Sequence, residues 1–194
     1  TLIDPMKGLA EKSPAAPDAV VAGLTAQLAK AGMDRGFGLV LGDPEGTLSV
    51  ALAGATQLRI VNITTDEKAA QALREKLLAT TRLNGSRVNV QTVASLENLP
   101  FAQFFANAII VAGPTPGLLG PELYRVLRPC GGLLLAPGLK PESAAALMAS
   151  TGAAEKEVRQ LADGPVVARG KLPGALDWDS GTRVDARVKW PLRP

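Results

Sequence analysis

Gly42-Asp43-Pro44-Glu45-Gly46 has the composition of a ligand loop. It follows an apolar run, Gly36-Phe37-Gly38-Leu39-Val40-Leu41, and precedes a stretch with Leu48, Val50, Ala51 and Leu52. A turn between a strand and a helix sets backbone N–H groups and the helix dipole against polar or anionic ligand groups. Gly42 and Gly46 let a ligand come close to the backbone. Pro44 between them fixes φ and removes a donor. A Gly-x-Pro-x-Gly turn is therefore either a degenerate nucleotide loop or a plain tight corner. Asp43 and Glu45 form a carboxylate pair beside a helix N-terminus, where they fit with no catalytic role.

A second position lies at the end of the next apolar run, in Asn62-Ile63-Thr64-Thr65-Asp66. A carboxylate at a strand end there would accept both ribose hydroxyls of a nucleoside. The chain has Thr64, which can hydrogen-bond but carries no charge. Asp66 comes two residues later, where it or Thr65 serves as a helix cap. Cys130 could be a nucleophile, but the chain has no histidine to activate it, and Pro129-Cys130-Gly131-Gly132 reads as a turn.

The absence of histidine removes Ser-His-Asp and Cys-His catalysis and any His-ligated metal, and one cysteine removes a disulfide framework or a Cys-cluster zinc site. Aromatics at 4% are too few for a base-stacking platform. A net charge of +3 with interspersed signs is that of a solvated surface, not a nucleic-acid binder. With 46% hydrophobic and 20% charged residues the 194-residue chain belongs to the globular class. No apolar run approaches the ~18 residues that span a bilayer. A soluble protein is expected. Thr1 in place of Met reads as a processed or truncated N-terminus, and the compartment stays open.

The elements that position these residues alternate. Asp18 caps a helix with Val20, Val21, Leu24, Leu28 and Ala31 at helical spacing, and Gly32 stops it. Residues 58–63 read as a strand, and Ala69, Ala70, Leu73 and Leu77 mark a helix. Residues 87–93 alternate with period two, as a half-buried or edge strand does. Residues 108–112 and 132–136 are continuously apolar, like buried parallel strands. Leu119, Leu123, Val126 and Leu127 form one helix face between them. Pro141 starts a helix through Leu147 and Met148. Val158 and residues 165–168 supply the last strands. Such alternation means a parallel sheet covered on both faces, with its ligand crevice at the carboxyl ends of the central strands. We divide the chain into an irregular arm (1–17), a domain (18–170) and a tail (171–194). The tail holds Trp178, Trp190 and the basic Arg183, Arg187, Lys189 and Arg193.

Taken in order, these motifs resemble the class I S-adenosylmethionine-dependent methyltransferases. Val40-Leu41 with the Gly42–Gly46 loop looks like their motif I. Residues 88–96, then Leu99-Pro100-Phe101 and residues 105–110, are similar to the stretch that holds the adenine and reaches strand four. Tyr124-Arg125-Val126-Leu127-Arg128-Pro129-Cys130-Gly131-Gly132 is close to the family's "RVLRPGG" turn before strand five. The resemblance covers about residues 18–168. It is closest to methyltransferase-like modules attached to quinoprotein-type β-propellers, whose propeller start resembles Lys171-Leu172-Pro173-Gly174-Ala175-Leu176-Asp177-Trp178.

The resemblance implies an α/β, Rossmann-like methyltransferase fold: a mostly parallel seven-stranded sheet, order 3-2-1-4-5-7-6, with helices on both faces. It implies S-adenosylmethionine over the loop at Gly42, Asp43 and Gly46. Thr64 would then lie near the ribose, Ala94, Ser95 and Leu96 near the adenine, and Ala112 and Gly113 facing the methyl group. The departures are Pro44 for the middle glycine, Thr64 for the ribose acid, and Ala112-Gly113-Pro114-Thr115-Pro116 with no group to position a methyl acceptor. Losing a charge-assisted ribose contact costs about 1.5–3 kcal/mol. That is about one to two decades of affinity. The expectation is a pseudoenzyme: a methyltransferase-like, non-catalytic structural or binding subunit of a larger assembly, contacting protein partners through the arm and the tail. The alternative is an active methyltransferase of unknown acceptor, because a sulfonium needs little beyond proximity and orientation. A nicotinamide-dependent reductase would require the Gly-x-Gly-x-x-Gly spacing, which is missing.

Overall fold

The computed structural model of the protein describes residues 18–161 and 164–174. Among the described residues, five α-helices and seven strands follow the alternation. They are α1 (Ala19–Lys30), β1 (Arg35–Leu41), α2 (Thr47–Ala55), β2 (Gln57–Thr64), α3 (Glu67–Thr80) and β3 (Val88–Thr92). Then come β4 (Ala108–Val111), α4 (Gly120–Val126), β5 (Leu133–Leu135), α5 (Pro141–Ser150), β6 (Val158–Leu161) and β7 (Gly164–Ala168). All seven strands form one sheet in the order β3-β2-β1-β4-β5-β7-β6. Pairing is parallel except at β7, which runs antiparallel to β5 and β6. The period-two run lies at the sheet edge as β3.

Two apolar clusters lie on opposite faces of the sheet. Successive strand side chains point to opposite faces, so neighbours such as Leu39 and Val40 separate. Val40, Ile60 and Val88 pack with Leu24 and Leu28 of α1, Leu52 of α2, and Leu73 and Leu77 of α3. Leu39, Leu41, Ile63 and Ile109 pack with Leu123 of α4 and Met148 of α5. Helix starts follow the expected chemistry. Asp18 caps α1 through Val20 N, and Asp66, not Thr65, caps α3 by accepting from Lys68 N and Ala69 N.

Two expected core positions differ. Val20 stays 48% exposed because α1 turns Val21, Leu24 and Leu28 inward. Leu119 is the N-cap of the seven-residue α4, one position before the helix turns, and it is 46% exposed. Only Leu123, Val126 and Leu127 of that predicted face are buried.

Arginines fix the periphery. Arg74 donates to the Val90 carbonyl of β3 from Nε (3.2 Å) and Nη2 (3.1 Å), so part of that sheet edge is covered from within. Arg169, just past β7, donates to the Tyr124 and Leu127 carbonyls. Its guanidinium lies 4.0 Å from the Tyr124 ring centroid and 4.6 Å from that of Phe104. Glu157 accepts from Tyr124 Oη (2.7 Å) and Gly170 N (2.6 Å), so the last strand pair is locked onto α4. The arm and the tail beyond Gly174, with both tryptophans and the basic residues, lie outside the described residues. Among the described residues no helix is long and apolar enough to cross a membrane.

Candidate functional site

The sheet order reverses direction between β1 and β4, the point at which open α/β sheets form a ligand crevice beyond the carboxyl ends of their strands. The nine residues singled out from the sequence gather there, at the ends of four adjacent strands. Gly42, Asp43 and Gly46 follow β1, Thr64 ends β2, Ala94, Ser95 and Leu96 follow β3, and Ala112 and Gly113 follow β4.

Most of their polar groups are engaged by the chain itself. Asp43, Pro44, Glu45 and Gly46 form a turn closed by Gly46 N donating to Asp43 O at 3.1 Å. Gly42 sits at φ +75, and a Cβ there would stand 2.6 Å from the Gly113 carbonyl oxygen. Its bareness lets the β1 and β4 turns touch. Gly46, the N-cap of α2 at φ +69, would place a Cβ 2.7 Å from Leu73 Cδ1. Both glycines thus answer to internal packing.

Asp43 turns inward and is 8% exposed. Its Oδ2 accepts from Ser49 N and Ser49 Oγ, each at 2.8 Å. Asn62 Nδ2 donates to Asp43 O at 2.8 Å and to Ser49 Oγ at 3.0 Å. A carboxylate six residues upstream therefore takes the third amide of α2 and meets the positive end of its dipole. Glu45 points elsewhere. Its Oε2 lies 2.5 Å from Lys76 Nζ, which also donates to Glu45 O. The hydrogen bond from Lys76, aided by its charge, holds the Glu45 carboxyl below its ordinary value. The two carboxylates adjoin in sequence and diverge in space, so they form no acid–base pair.

At the neighbouring strand ends, Thr64 Oγ1 accepts from Asp66 N (3.1 Å), and Asp66 is committed to capping α3. Ser95 Oγ accepts from Glu97 N (3.0 Å). Ala94 is exposed, whereas Leu96 is buried in the core with Val93 and Leu99. Ala112 is pinned between Leu41, whose carbonyl accepts its N–H (2.7 Å), and Gly138, whose missing Cβ leaves room for the Ala112 carbonyl.

Partners invisible to local sequence reading complete the site. Asn62 and Ser49 are buried polar residues in an apolar strand and an apolar helix face, which was the available signal. Glu122 and Arg125 of α4 pin the loop after the expected adenine stretch. Glu122 accepts from Leu99 N (2.7 Å) and from Arg125 Nε (2.7 Å) and Nη2 (2.6 Å). Arg125 also donates to the Phe101 and Leu99 carbonyls. The Arg125 hydrogen bonds hold the Glu122 carboxyl below its ordinary value against the opposing effect of burial.

S-adenosylmethionine carries ribose hydroxyls, an amino-acid end and a sulfonium. At the place where the resemblance would put it, Gly42 lies against the Gly113 backbone and Asp43 accepts from the Ser49 amide of α2. The β2 end offers a neutral hydroxyl, and the loop carboxylates are bonded to Ser49 and Lys76. These residues do not fit a charge-anchored S-adenosylmethionine.

No protein-family model matches the sequence, and no curated protein matches it. Solved structures do. A candidate S-adenosyl-L-methionine-dependent methyltransferase from Methanococcus maripaludis is similar at TM-score 0.58 and 14% identity, over 79% of this chain and 84% of that one. A SAM-dependent methyltransferase from Aquifex aeolicus is similar at TM-score 0.52 and 15% identity, over 78% and 92%. A candidate sarcosine dimethylglycine methyltransferase from Galdieria sulphuraria matches at TM-score 0.52 and 17% identity, over 66% of this chain and 51% of that one. At such identities the likeness is one of fold. The chain has the Rossmann-like fold of the class I S-adenosylmethionine-dependent methyltransferases, with a seven-stranded, mostly parallel sheet.

Proposed function

We propose that this is a methyltransferase-like domain with a degenerate S-adenosylmethionine site, serving as a non-catalytic structural or binding unit of a larger assembly. The observation that supports it is Asp43. In the loop that would receive the ligand, the chain's own carboxylate stands at the α2 N-terminus, bonded to Ser49 and facing Asn62. Thr64 at the ribose position and Gly113-Pro114-Thr115-Pro116 at the methyl position add no anchor. In this reading residues 18–170 are the domain, and the arm and the 171–194 tail make the partner contacts. The tail's similarity to a propeller start fits that division.

The fold alone favours the second reading, an active S-adenosylmethionine-dependent methyltransferase of unknown acceptor. Methyl-labelled S-adenosylmethionine separates the two. The full chain, incubated with labelled cofactor and a protein and metabolite extract, is expected to transfer no label above a heat-treated control. Transfer that a Gly42→Trp variant abolishes would establish the second reading.

A further inference from the structure

Three of the chain's phenylalanines form one stack. The Phe37 ring lies on Phe105 with 4.6 Å between centroids and 29° between planes, and Phe105 lies on Phe101 at 5.1 Å and 17°. Phe101 and Phe105 belong to the connection from β3 to β4, and Phe37 ends the stack with 37% of its surface exposed. Asn107, just before β4, holds the Phe37 backbone. Phe37 N donates to Asn107 Oδ1 (3.2 Å), and the Phe37 carbonyl accepts from Asn107 N (2.8 Å). The ring is thus fixed in place without being covered.

Phe37 stands on the sheet face opposite α2 and α3, which pack on β2 and β3 from the other side. On its own side the β3–β4 connection, residues 93–107, contains no helix. Arg59, the register partner of Phe37 on β2, turns to this side, because its neighbours Leu58 and Ile60 point into the opposite core. Asn89 follows on β3 as the register partner of Val61, and Arg35 begins β1 two residues before Phe37. All three are exposed. The Arg35 and Arg59 side chains have no hydrogen bond, ion pair or ring contact among the described residues. β1, β2 and β3 contain no Asp, Glu or Lys.

That composition selects the occupant. Interfaces between proteins enrich aromatic residues and arginine and deplete lysine and acids. Two unpaired guanidiniums call for carboxylates, which they bind bidentately. A second copy would set cation against cation. Nucleic acid would ask for more positive charge than two arginines and a net charge of +3 provide. We propose that this face docks a segment of a partner protein that carries carboxylates on both sides of an aromatic residue, with the aromatic ring on Phe37 and the carboxylates on Arg35 and Arg59. This goes beyond the reading of the domain as a binding unit by naming the surface and the chemistry of its partner. It holds whether or not the crevice takes a cofactor.

The probe is the capped pentapeptide Glu-Glu-Trp-Glu-Glu, titrated into the isotope-labelled full chain and read by amide NMR shifts. Saturable shifts are expected around residues 35–38 and 57–60. Arg59→Gln should weaken binding about threefold, and Arg35→Gln with Arg59→Gln about tenfold, as the loss of one and of two exposed ion pairs would. Both arginines are exposed and unpaired, so the variants should melt at the wild-type temperature. Serine in place of the peptide's tryptophan, or lysine in place of its glutamates, should abolish saturation. No saturable shift up to millimolar peptide would overturn the proposal. So would shifts centred elsewhere, or equal affinity in the double variant. Tighter binding of oligothymidylate at this face would overturn it in favour of nucleic acid, and shifts that follow protein concentration without peptide would overturn it in favour of a second copy.

Discussion

Asp43 Oδ2 accepts two hydrogen bonds from one residue, the amide and the hydroxyl of Ser49, each at 2.8 Å. A loop carboxylate has become an external cap for α2. If that is its role, it contributes to stability with no ligand present. Asp43→Ala would remove the cap and leave the Ser49 amide and hydroxyl without their buried acceptor. The expected loss is about 2–3 kcal/mol. It should be read as a lower urea midpoint at an unchanged slope. An unchanged midpoint would mean that the carboxylate is held ready for a ligand instead.

The glycines of the site make a graded series. Gly42→Ala forces a Cβ against the Gly113 backbone at a left-handed φ and should cost about 2–4 kcal/mol. Gly46→Ala meets only the Leu73 methyl, which can swing away, and should cost less. Gly54→Ala lies in α2 with nothing within 4 Å and should stabilise by about 0.5–1 kcal/mol. Thermal melts resolve the order, because 1 kcal/mol moves the midpoint by about 2–4 °C in a domain of this size.

Cys130 occupies φ +60, a left-handed conformation that favours glycine. Cys130→Gly relieves the strain and should stabilise by up to about 1 kcal/mol. A loss of stability would show that the thiol makes a packing contribution larger than the strain.

Acid should weaken the fold through Glu122 and Glu157. Arg125 hydrogen bonds hold the Glu122 carboxyl below its ordinary value. Burial works to raise the Glu157 carboxyl, and the Tyr124 hydroxyl with the Gly170 and Ala154 amides outweighs it, leaving this group low as well. Folded values below unfolded ones mean that this stability is fully present above the ordinary carboxylate range. It is lost as pH falls through that range and below. Glu122→Gln should flatten the acid limb of a stability–pH curve, whereas Arg125→Ala should lower the neutral plateau by about 2–3 kcal/mol by leaving Glu122 buried without its cation.

The sheet was legible because strand type leaves a local mark. Ala108-Ile109-Ile110-Val111 is apolar throughout and is β4 at the centre, while Arg87-Val88-Asn89-Val90 alternates and leads into β3 at the edge. The gathering of the expected residues at the ends of β1 to β4 followed from that order. What escaped depends on distant partners. Asp43 and Glu45 look like a pair until Ser49 and Lys76 separate them. Leu119 fits the helical period of Leu123 and Val126 but lies one residue before the helix begins. Arg169, which no local pattern marks, is held by two carbonyls and two rings.

In the proposed reading the fold persists while the charged anchors of a cofactor site are gone. Calorimetric titration of the full chain with S-adenosylhomocysteine tests it most directly, because this ligand needs the ribose and amino-acid contacts and no acceptor. Each missing charge-assisted anchor is worth about 1.5–3 kcal/mol. Two such losses take a micromolar site to the millimolar range, at about 1.4 kcal/mol per decade. No saturable heat up to millimolar ligand is the expected result. Saturable binding at low-micromolar concentration would contradict it and would make Pro44 and Thr64 tolerated variants in a working cofactor site.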